Sequence, residues 1–136
     1  MREVVLDASV LVKWIKEVGE ANVPAARALR VQYRRGELGV VVPYLVFLEI
    51  VNVAARRWGW SADQLSGMVR VLLEARFGIG QPPLERVAHW AGRGLTAYDA
   101  CYVALAEDRR TVVITADDRI LAVAGQLAEP LSGRTA

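Results

Sequence analysis

Short runs of aliphatic and β-branched residues recur along the chain and alternate with stretches of helical spacing. The runs EVVL (3–6), LGVVVP (38–43) and TVVI (111–114) are almost entirely apolar and do not alternate with polar residues. Strands that are apolar on both faces need cover on both faces, as in parallel sheets packed between helices. The pattern therefore predicts an α/β fold with a small, mostly parallel central sheet.

Start signals for helices lie between these runs. Ser61 with Gln64, and Thr96 with Asp99, fit the spacing of a capping box, and Ser9 is placed to cap the first helix. The predicted helices cover 9–15, 21–35, 43–57, 61–76, 84–91 and 118–124, with one more opening at Thr96, and brief edge strands are expected in the joint 78–83 and at 127–131.

The composition fits one globular domain. A chain of 136 residues with 54% hydrophobic residues can bury a sizeable core, so we expect a single domain over 1–131 and a frayed tail over 132–136. No apolar run reaches the roughly 18 residues of a membrane span, and the charged start is unlike a signal peptide. Cys101 is the one cysteine. A lone thiol, expected in the core, predicts a protein of the cytoplasm without an internal disulfide.

The basic residues are mostly arginine. The net charge is only +2, and of the 17 Lys and Arg residues only Lys13 and Lys16 are lysines. Planar guanidinium groups suit phosphate. Because genome composition or heat tolerance also favours arginine over lysine, the skew is a weak indication of nucleic-acid binding.

Four acidic residues lie beside or inside apolar segments. Asp7 directly follows the first strand, and Asp117 follows the strand TVVI by two residues. Because parallel strands end at one edge of their sheet, we expect both carboxylates on the same rim. Glu49 and Asn52 are the only polar residues in the middle of the third helix, and Asp99 stands in the first turn of an otherwise apolar helix.

Each acid has an ordinary explanation by itself: a turn, a helix cap or a buried ion pair. Taken together they require more, because an unpaired buried carboxylate costs several kcal/mol or takes up a proton. Two carboxylates about 4 Å apart repel by roughly 4 kcal/mol at an effective dielectric constant of 20. A hard divalent cation, Mg²⁺ or Mn²⁺, would relieve that repulsion. The acids therefore predict a pocket that binds such an ion.

Four segments of the sequence match the motifs of a known family. The stretches VVLDASVLVKW, LEIVNVAAR, LTAYDACYVALAE and VVITADDRIL resemble PIN-domain ribonucleases, in particular the VapC-like toxins of bacterial and archaeal toxin–antitoxin pairs. The resemblance covers essentially the whole chain. It implies a PIN-like three-layer α/β/α fold, dependence on Mg²⁺ or Mn²⁺, an RNA substrate, a homodimer, and a cognate antitoxin protein as partner.

The resemblance also assigns site residues. It implies that the catalytic, metal-binding acids are Asp7, Glu49, Asp99 and Asp117. Ser9, Asn52 and Thr115 match polar positions that support the acids. From their positions beside the motifs, the residues expected to contact the substrate are Lys13, Lys16 and Arg119.

The inventory of residues favours hydrolysis by a metal-activated water. A ribonuclease that works without metal usually needs a paired general acid and base, often two histidines. This chain has only His89, inside a predicted helix, where a packing or surface role is expected.

Three other interpretations remain open. A phosphoryl-transfer protein would also carry acids at strand ends, but it needs a lysine on or after a late strand, and none follows Lys16. The chain could instead be a non-catalytic interaction module that keeps its acids. An RNA-processing PIN nuclease without an antitoxin would have the same chemistry in a different biological setting.

Overall fold

A five-stranded sheet forms the centre of the molecule in the computed structural model, which describes residues 1–132. The strands are β1 (Arg2–Leu6), β2 (Leu38–Val42), β3 (Gly78–Ile79), β4 (Val113–Thr115) and β5 (Ala128–Pro130). They run in the spatial order β3-β2-β1-β4-β5, and every neighbouring pair is parallel. The predicted α/β fold, including both edge strands, is confirmed.

Helices cover the sheet in two groups. The helices are α1 (Ala8–Ile15), α2 (Val23–Arg34), α3 (Leu45–Arg56), α4 (Ala62–Glu74), α5 (Leu84–Gly92), α6 (Ala97–Asp108) and α7 (Asp118–Ala124), and a 3₁₀ turn covers Gly125–Leu127. In one group, α1 contacts both α2 and α3, and α3 also contacts α4. In the other, α6 packs on β1 and β4 and contacts α5 and α7. The arrangement is consistent with three layers, α/β/α.

The core follows the apolar runs of the sequence. The last three residues of β1, Val4 to Leu6, are fully buried, as are Val41 and Val42 of β2. Fully burying one such side chain contributes about 2 kcal/mol relative to leaving it in water. Helix α6 is buried along most of its length, which explains why its sequence has no polar face.

Several predicted boundaries differ from the observed ones, and two of the differences concern the acids. Helix α1 begins at Ala8 with Asp7 as its first flanking residue, and the Ser9 hydroxyl turns back to the Asp7 carboxylate instead of capping the helix. Strand β4 lies later than 111–114, because the Thr111 hydroxyl bonds the Glu3 carbonyl and pairing with β1 starts only at Val113. The later β4 ends at Thr115, which brings that residue next to Asp7.

The two capping sites of the sequence are present. Ser61 and Gln64 form a reciprocal capping box at α4, and the Thr96 hydroxyl accepts a hydrogen bond from the Asp99 amide at α6. Cys101 is half-buried and packs against the core, as predicted for this thiol.

In the described part of the chain, no helix is long and apolar enough to cross a lipid bilayer. Of the predicted tail 132–136, only Ser132 belongs to the described residues, and 133–136 lie outside them. The single-domain boundaries stay a prediction.

Candidate active site

Asp7 is the most deeply buried acid of the site. It follows β1 directly and is 3% exposed. The Ser9 hydroxyl donates to Oδ1 at 2.6 Å, and the Thr115 hydroxyl donates to Oδ2 at 2.5 Å. Burial raises the pKa of Asp7 to about 6, although these hydroxyls and the Val10 amide lower it and Asp117 adds a small further rise.

The two hydroxyls are themselves held by the backbone after β4. Ser9 Oγ accepts from the Ala116 amide at 3.0 Å, and Thr115 Oγ1 accepts from the Asp117 amide at 2.9 Å. A hydroxyl that accepts from an amide has its own proton free to donate elsewhere, here to Asp7. The network therefore fixes the Asp7 carboxylate relative to the segment that carries Asp117.

Asp117 serves as the N-cap of α7 and borders the same cluster. Its Oδ1 accepts from the Arg119 amide at 2.8 Å and from the Ile120 amide at 3.2 Å. The charge of Asp117 raises the pKa of both Asp7 and Asp99. Asp117 therefore caps α7, which is the ordinary explanation for an acid at this position, and it also belongs to the acid cluster.

Asp99 and Glu49 continue the cluster from α6 and α3, and both are half-buried. Burial raises the pKa of Asp99, and Asp117 raises it further, while the nearby Arg119 guanidinium lowers it. Burial likewise raises the pKa of Glu49, and Asp99 adds to that rise. The charge of Asp117 thus acts on Asp7 and Asp99, and the charge of Asp99 acts on Glu49.

Tyr102 is a member of the site that the sequence analysis missed. Its side chain is 1% exposed, and its phenol donates a hydrogen bond to Oε1 of Glu49. Burial and the adjacent carboxylates raise the pKa of Tyr102, so the phenol keeps its proton. The available signal was its position three residues after Asp99, which puts both side chains on one face of α6.

Two residues expected to contact substrate lie elsewhere. Lys13 is 7% exposed and forms an ion pair with Glu20 at 3.0 Å, so it is not available to a substrate. Lys16 follows the last residue of α1, about 12 Å along the helix from Asp7, which flanks its start. Its ammonium group sits 5.2 Å from the Trp58 ring centre.

Arg119 and Asn52 complete the set of predicted residues. Arg119 is exposed and lies close enough to Asp99 to lower its pKa, so it does border the cluster. Asn52 is exposed, and its side chain makes no hydrogen bond to the acids in the described part of the molecule.

The donor chemistry of the cluster fits a hard cation. All its candidate ligands are carboxylate oxygens, and the charge of Asp117 raises the pKa of Asp7 and Asp99, as expected where a positive charge is needed between acids. Among residues 1–132, however, no three Asp, Glu, His or Cys side chains already stand close enough to hold an ion. Mg²⁺ keeps several of its waters and takes only one or two carboxylates. The residues therefore suit such an ion better than one that needs a closed cage of protein ligands.

A large cleft lies away from the acids. Its volume is about 730 Å³, and it opens at the start of the strands, beside Leu38 and Gly78. Trp14, Tyr33 and Phe77 form part of its wall, and none of the four acids lines it. Trp14 is held by a hydrogen bond from its indole to the Ala26 carbonyl. Its ring is therefore a structural part of the fold.

Comparison with known structures places the fold among solved proteins. PAE2754 from Pyrobaculum aerophilum is 27% identical, with a TM-score of 0.67 over 95% of this chain and 89% of that one. VapBC2 from Rickettsia felis, solved bound to a DNA fragment from its promoter, is 11% identical, with a TM-score of 0.65 over 96% of this chain and 98% of that one. The second similarity is one of fold alone. A search of curated proteins gave no match.

Comparison with protein-family models gives a match that covers most of the sequence. The model described as the PIN domain matches residues 4–126, a span that includes all four acids, Tyr102 and Thr115. The chain therefore belongs to the PIN domain family.

Proposed function

We propose that this protein is a metal-dependent endoribonuclease and the toxin of a toxin–antitoxin pair. The observation that carries the proposal is the electrostatic coupling of four acids from separate parts of a PIN fold: Asp7, Glu49, Asp99 and Asp117. Acid clusters with raised pKa values, as found here for Asp7, Glu49 and Asp99, are common at catalytic sites.

The acids would hold Mg²⁺ or Mn²⁺, with Asp7, Asp99 and Asp117 contributing one or two direct carboxylate ligands and otherwise acting through bound waters, and with Glu49 shared or acting through a water. When bound, such an ion supplies a water of lowered pKa and offsets the charge that develops on the phosphate. Hydrolysis by water leaves a 3′-hydroxyl and a 5′-phosphate. The exposed His89 packs edge-on against Trp90, with ring centres 5.2 Å apart, and has no histidine partner for an alternative acid–base mechanism.

The chain's own residues would orient the reactants. Ser9 and Thr115 hold both oxygens of Asp7 in place, which limits its rotation at the rim. Arg119 borders Asp99 and makes no side-chain hydrogen bond within the described residues, so its guanidinium is free to bind a phosphate of the RNA backbone. Asn52, three residues after Glu49 on α3, would add a polar contact beside it.

The phosphoryl-transfer interpretation, with chemistry like that of a receiver domain or an aspartate-nucleophile phosphatase, is not supported. Such a mechanism needs a lysine at the acid rim, and the two lysines are otherwise engaged, Lys13 by Glu20 and Lys16 by the Trp58 ring.

The cognate antitoxin, the homodimer and the cytoplasmic location belong to the same proposal. The fold shared with VapBC2 of Rickettsia felis supports a toxin–antitoxin setting. Exposed apolar side chains that could be covered by a second copy include Tyr44 and Leu48 near the start of α3 and Leu73 on α4, which border one shallow cavity of about 110 Å³.

The test is cleavage of a broad RNA panel by purified protein in Mg²⁺ or Mn²⁺, compared with the same reaction in chelator. Asp99→Asn serves as the inactive variant, with its fold checked by circular dichroism. We expect metal-dependent cleavage by the natural protein alone. An intact RNA panel in both metals, or equal cleavage by folded Asp99→Asn, would overturn the proposal.

A further inference from the structure

The Glu49 carboxylate is held by a group outside the set of acids. Among residues 1–132, the phenol of Tyr102 is the only side chain that donates a hydrogen bond to it. No Lys or Arg forms an ion pair with Glu49 in that part of the chain. The single phenolic bond therefore determines where one carboxylate oxygen lies.

Tyr102 itself has little freedom to move. It lies in the middle of α6, and neighbours on the same helix, such as Val103 and Leu105, are also fully buried. Its ring is among the largest fully buried side chains of the molecule. A donor that is fixed in the core can fix a partner that reaches it from another helix, in this case Glu49 of α3.

The same helix carries Asp99 one turn earlier. Asp99 and Tyr102 therefore share a face, and the charge of Asp99 is felt at Glu49. The like charge of Asp99 disfavours an ionised Glu49 carboxylate beside it. The hydrogen bond from Tyr102 to Oε1 holds the carboxylate in that place and leaves Oε2 free for another ligand.

We propose that Tyr102 is a positioning residue for divalent-metal binding, which holds Glu49 beside Asp99 by donating its phenolic proton to Oε1. The inference rests on the proposed function, because it assigns Tyr102 a role at that same metal site. Removal of a hydrogen-bond partner behind a metal ligand typically lowers metal affinity about 10- to 100-fold. A tyrosine that only fills the core would have no such effect when replaced by phenylalanine.

The experiment is a calorimetric titration of Mn²⁺ into the full chain without RNA. Tyr102→Phe keeps the ring and removes the donor, and we expect its Mn²⁺ affinity to fall about tenfold. Tyr33→Phe is the matched control, because that phenol also donates a hydrogen bond, to the Ala75 carbonyl, away from the acids. Tyr33→Phe should bind Mn²⁺ like the natural protein.

A double-mutant cycle separates positioning from packing. If Tyr102 acts through Glu49, adding Tyr102→Phe to Glu49→Gln causes no further loss of affinity. An equal loss in both backgrounds, or a natural affinity in folded Tyr102→Phe, overturns the inference. Should Tyr102→Phe fail to fold, Glu49→Asp provides a second test, because it keeps the charge but shortens the side chain out of reach of the phenol. Unchanged Mn²⁺ affinity in Glu49→Asp overturns the inference as well.

The outcomes also distinguish this inference from the proposed function. If the natural protein binds Mn²⁺ and cleaves RNA while Tyr102→Phe behaves like Tyr33→Phe, only the role of Tyr102 is rejected. If the natural protein neither binds Mn²⁺ nor cleaves RNA, both are rejected.

Discussion

The Thr115 hydroxyl donates to the Asp7 carboxylate at 2.5 Å across a separation of 108 residues in the chain. The contact is possible because β1 and β4 are neighbours in the sheet and are paired in parallel, so that their carboxyl ends meet. It joins the first acid of the sequence to the segment that carries the last one, Asp117. The geometry of the acid rim therefore depends on correct pairing of these two strands.

Replacing Thr115 by valine should weaken this link. The side chain is fully buried, and its loss leaves Asp7 with one hydroxyl donor, Ser9, and the Asp117 amide with no hydroxyl acceptor. We expect the free energy of unfolding to fall by about 1–3 kcal/mol and the pKa of Asp7 to rise above its value of about 6. Urea unfolding and carbon NMR of the carboxyl group measure these two effects.

Thr111→Val is the control for that substitution. It also removes a hydroxyl that donates to β1, at the Glu3 carbonyl, but from the segment before β4 and at a distance from the acids. It should lower stability without changing the pKa of Asp7. The same pKa rise in both variants would contradict a direct role for Thr115.

Stability should depend on pH through Asp7. Its pKa is raised from 3.8 to about 6 in the folded chain, so the folded state binds this proton more tightly than the unfolded state. The metal-free protein is therefore expected to lose up to about 3 kcal/mol as pH rises from about 4 to 6, and to recover none of it above that range. The raised pKa values of Glu49 and Asp99 act in the same direction.

Asp7→Asn removes the largest of these titrations, so its unfolding free energy should vary less over the same pH range. Urea unfolding in chelator, repeated at closely spaced pH values, measures the difference. Equal pH dependence in the two proteins would mean that Asp7 titrates normally.

The fold was predictable from the sequence, as was the position of Asp7 and Asp117 after strand ends, because both depend on local signals. Apolar strands are recognisable from their residues, and Asp7 and Asp117 lie beside strand ends, where topology alone brings them together. Helix starts were predictable for the same reason, as at Ser61 and Thr96. These features need no knowledge of which helices touch.

The errors concerned contacts between distant segments. Lys13 follows Asp7 closely in the sequence, yet the eight-residue helix α1 directs it into the core, to a partner beyond the helix, Glu20. The sequence places Tyr102 in an apolar helix and gives no sign of its partner, because Glu49 lies 53 residues earlier. Side-chain pairing of this kind is decided by packing of α3 and α6 and leaves no pattern in either helix.

Arg119→Ala should impair RNA binding more than chemistry. The guanidinium is exposed beside Asp99 and is proposed to bind a backbone phosphate. We expect KM for RNA to rise about tenfold, the effect of losing one charge-assisted hydrogen bond, with kcat largely preserved. Arg70→Ala, which removes an exposed arginine of α4, is the control for net charge. A similar KM for both variants would argue against a substrate contact by Arg119.

The ion pair of Lys13 and Glu20 should be structural. Both side chains are largely buried, so Glu20→Gln leaves the Lys13 ammonium group without its partner, and we expect a loss of about 3 kcal/mol in unfolding free energy. Glu17→Gln, at the exposed ion pair with Arg27, is the matched control and should have little effect. Neither variant should change the Mn²⁺ affinity. A natural stability for Glu20→Gln would show that the pair contributes nothing to the fold.

Divalent metal should stabilise the folded protein, since the four acids repel one another without it. At a concentration of Mn²⁺ 100 times its dissociation constant, binding to the folded state alone adds about 2.7 kcal/mol. We therefore expect the melting temperature to rise on titration with Mn²⁺ and to return to its starting value in excess chelator.

Asp99→Asn removes a candidate ligand and lowers the repulsion at the same time, so it should melt higher than the natural protein in chelator and respond less to Mn²⁺. Ca²⁺ added at equal ionic strength controls for general screening of charge, because its larger radius suits seven or eight ligands better than a site with few carboxylates. A melting temperature that responds equally to Mn²⁺ in both proteins would place the ion somewhere other than beside Asp99.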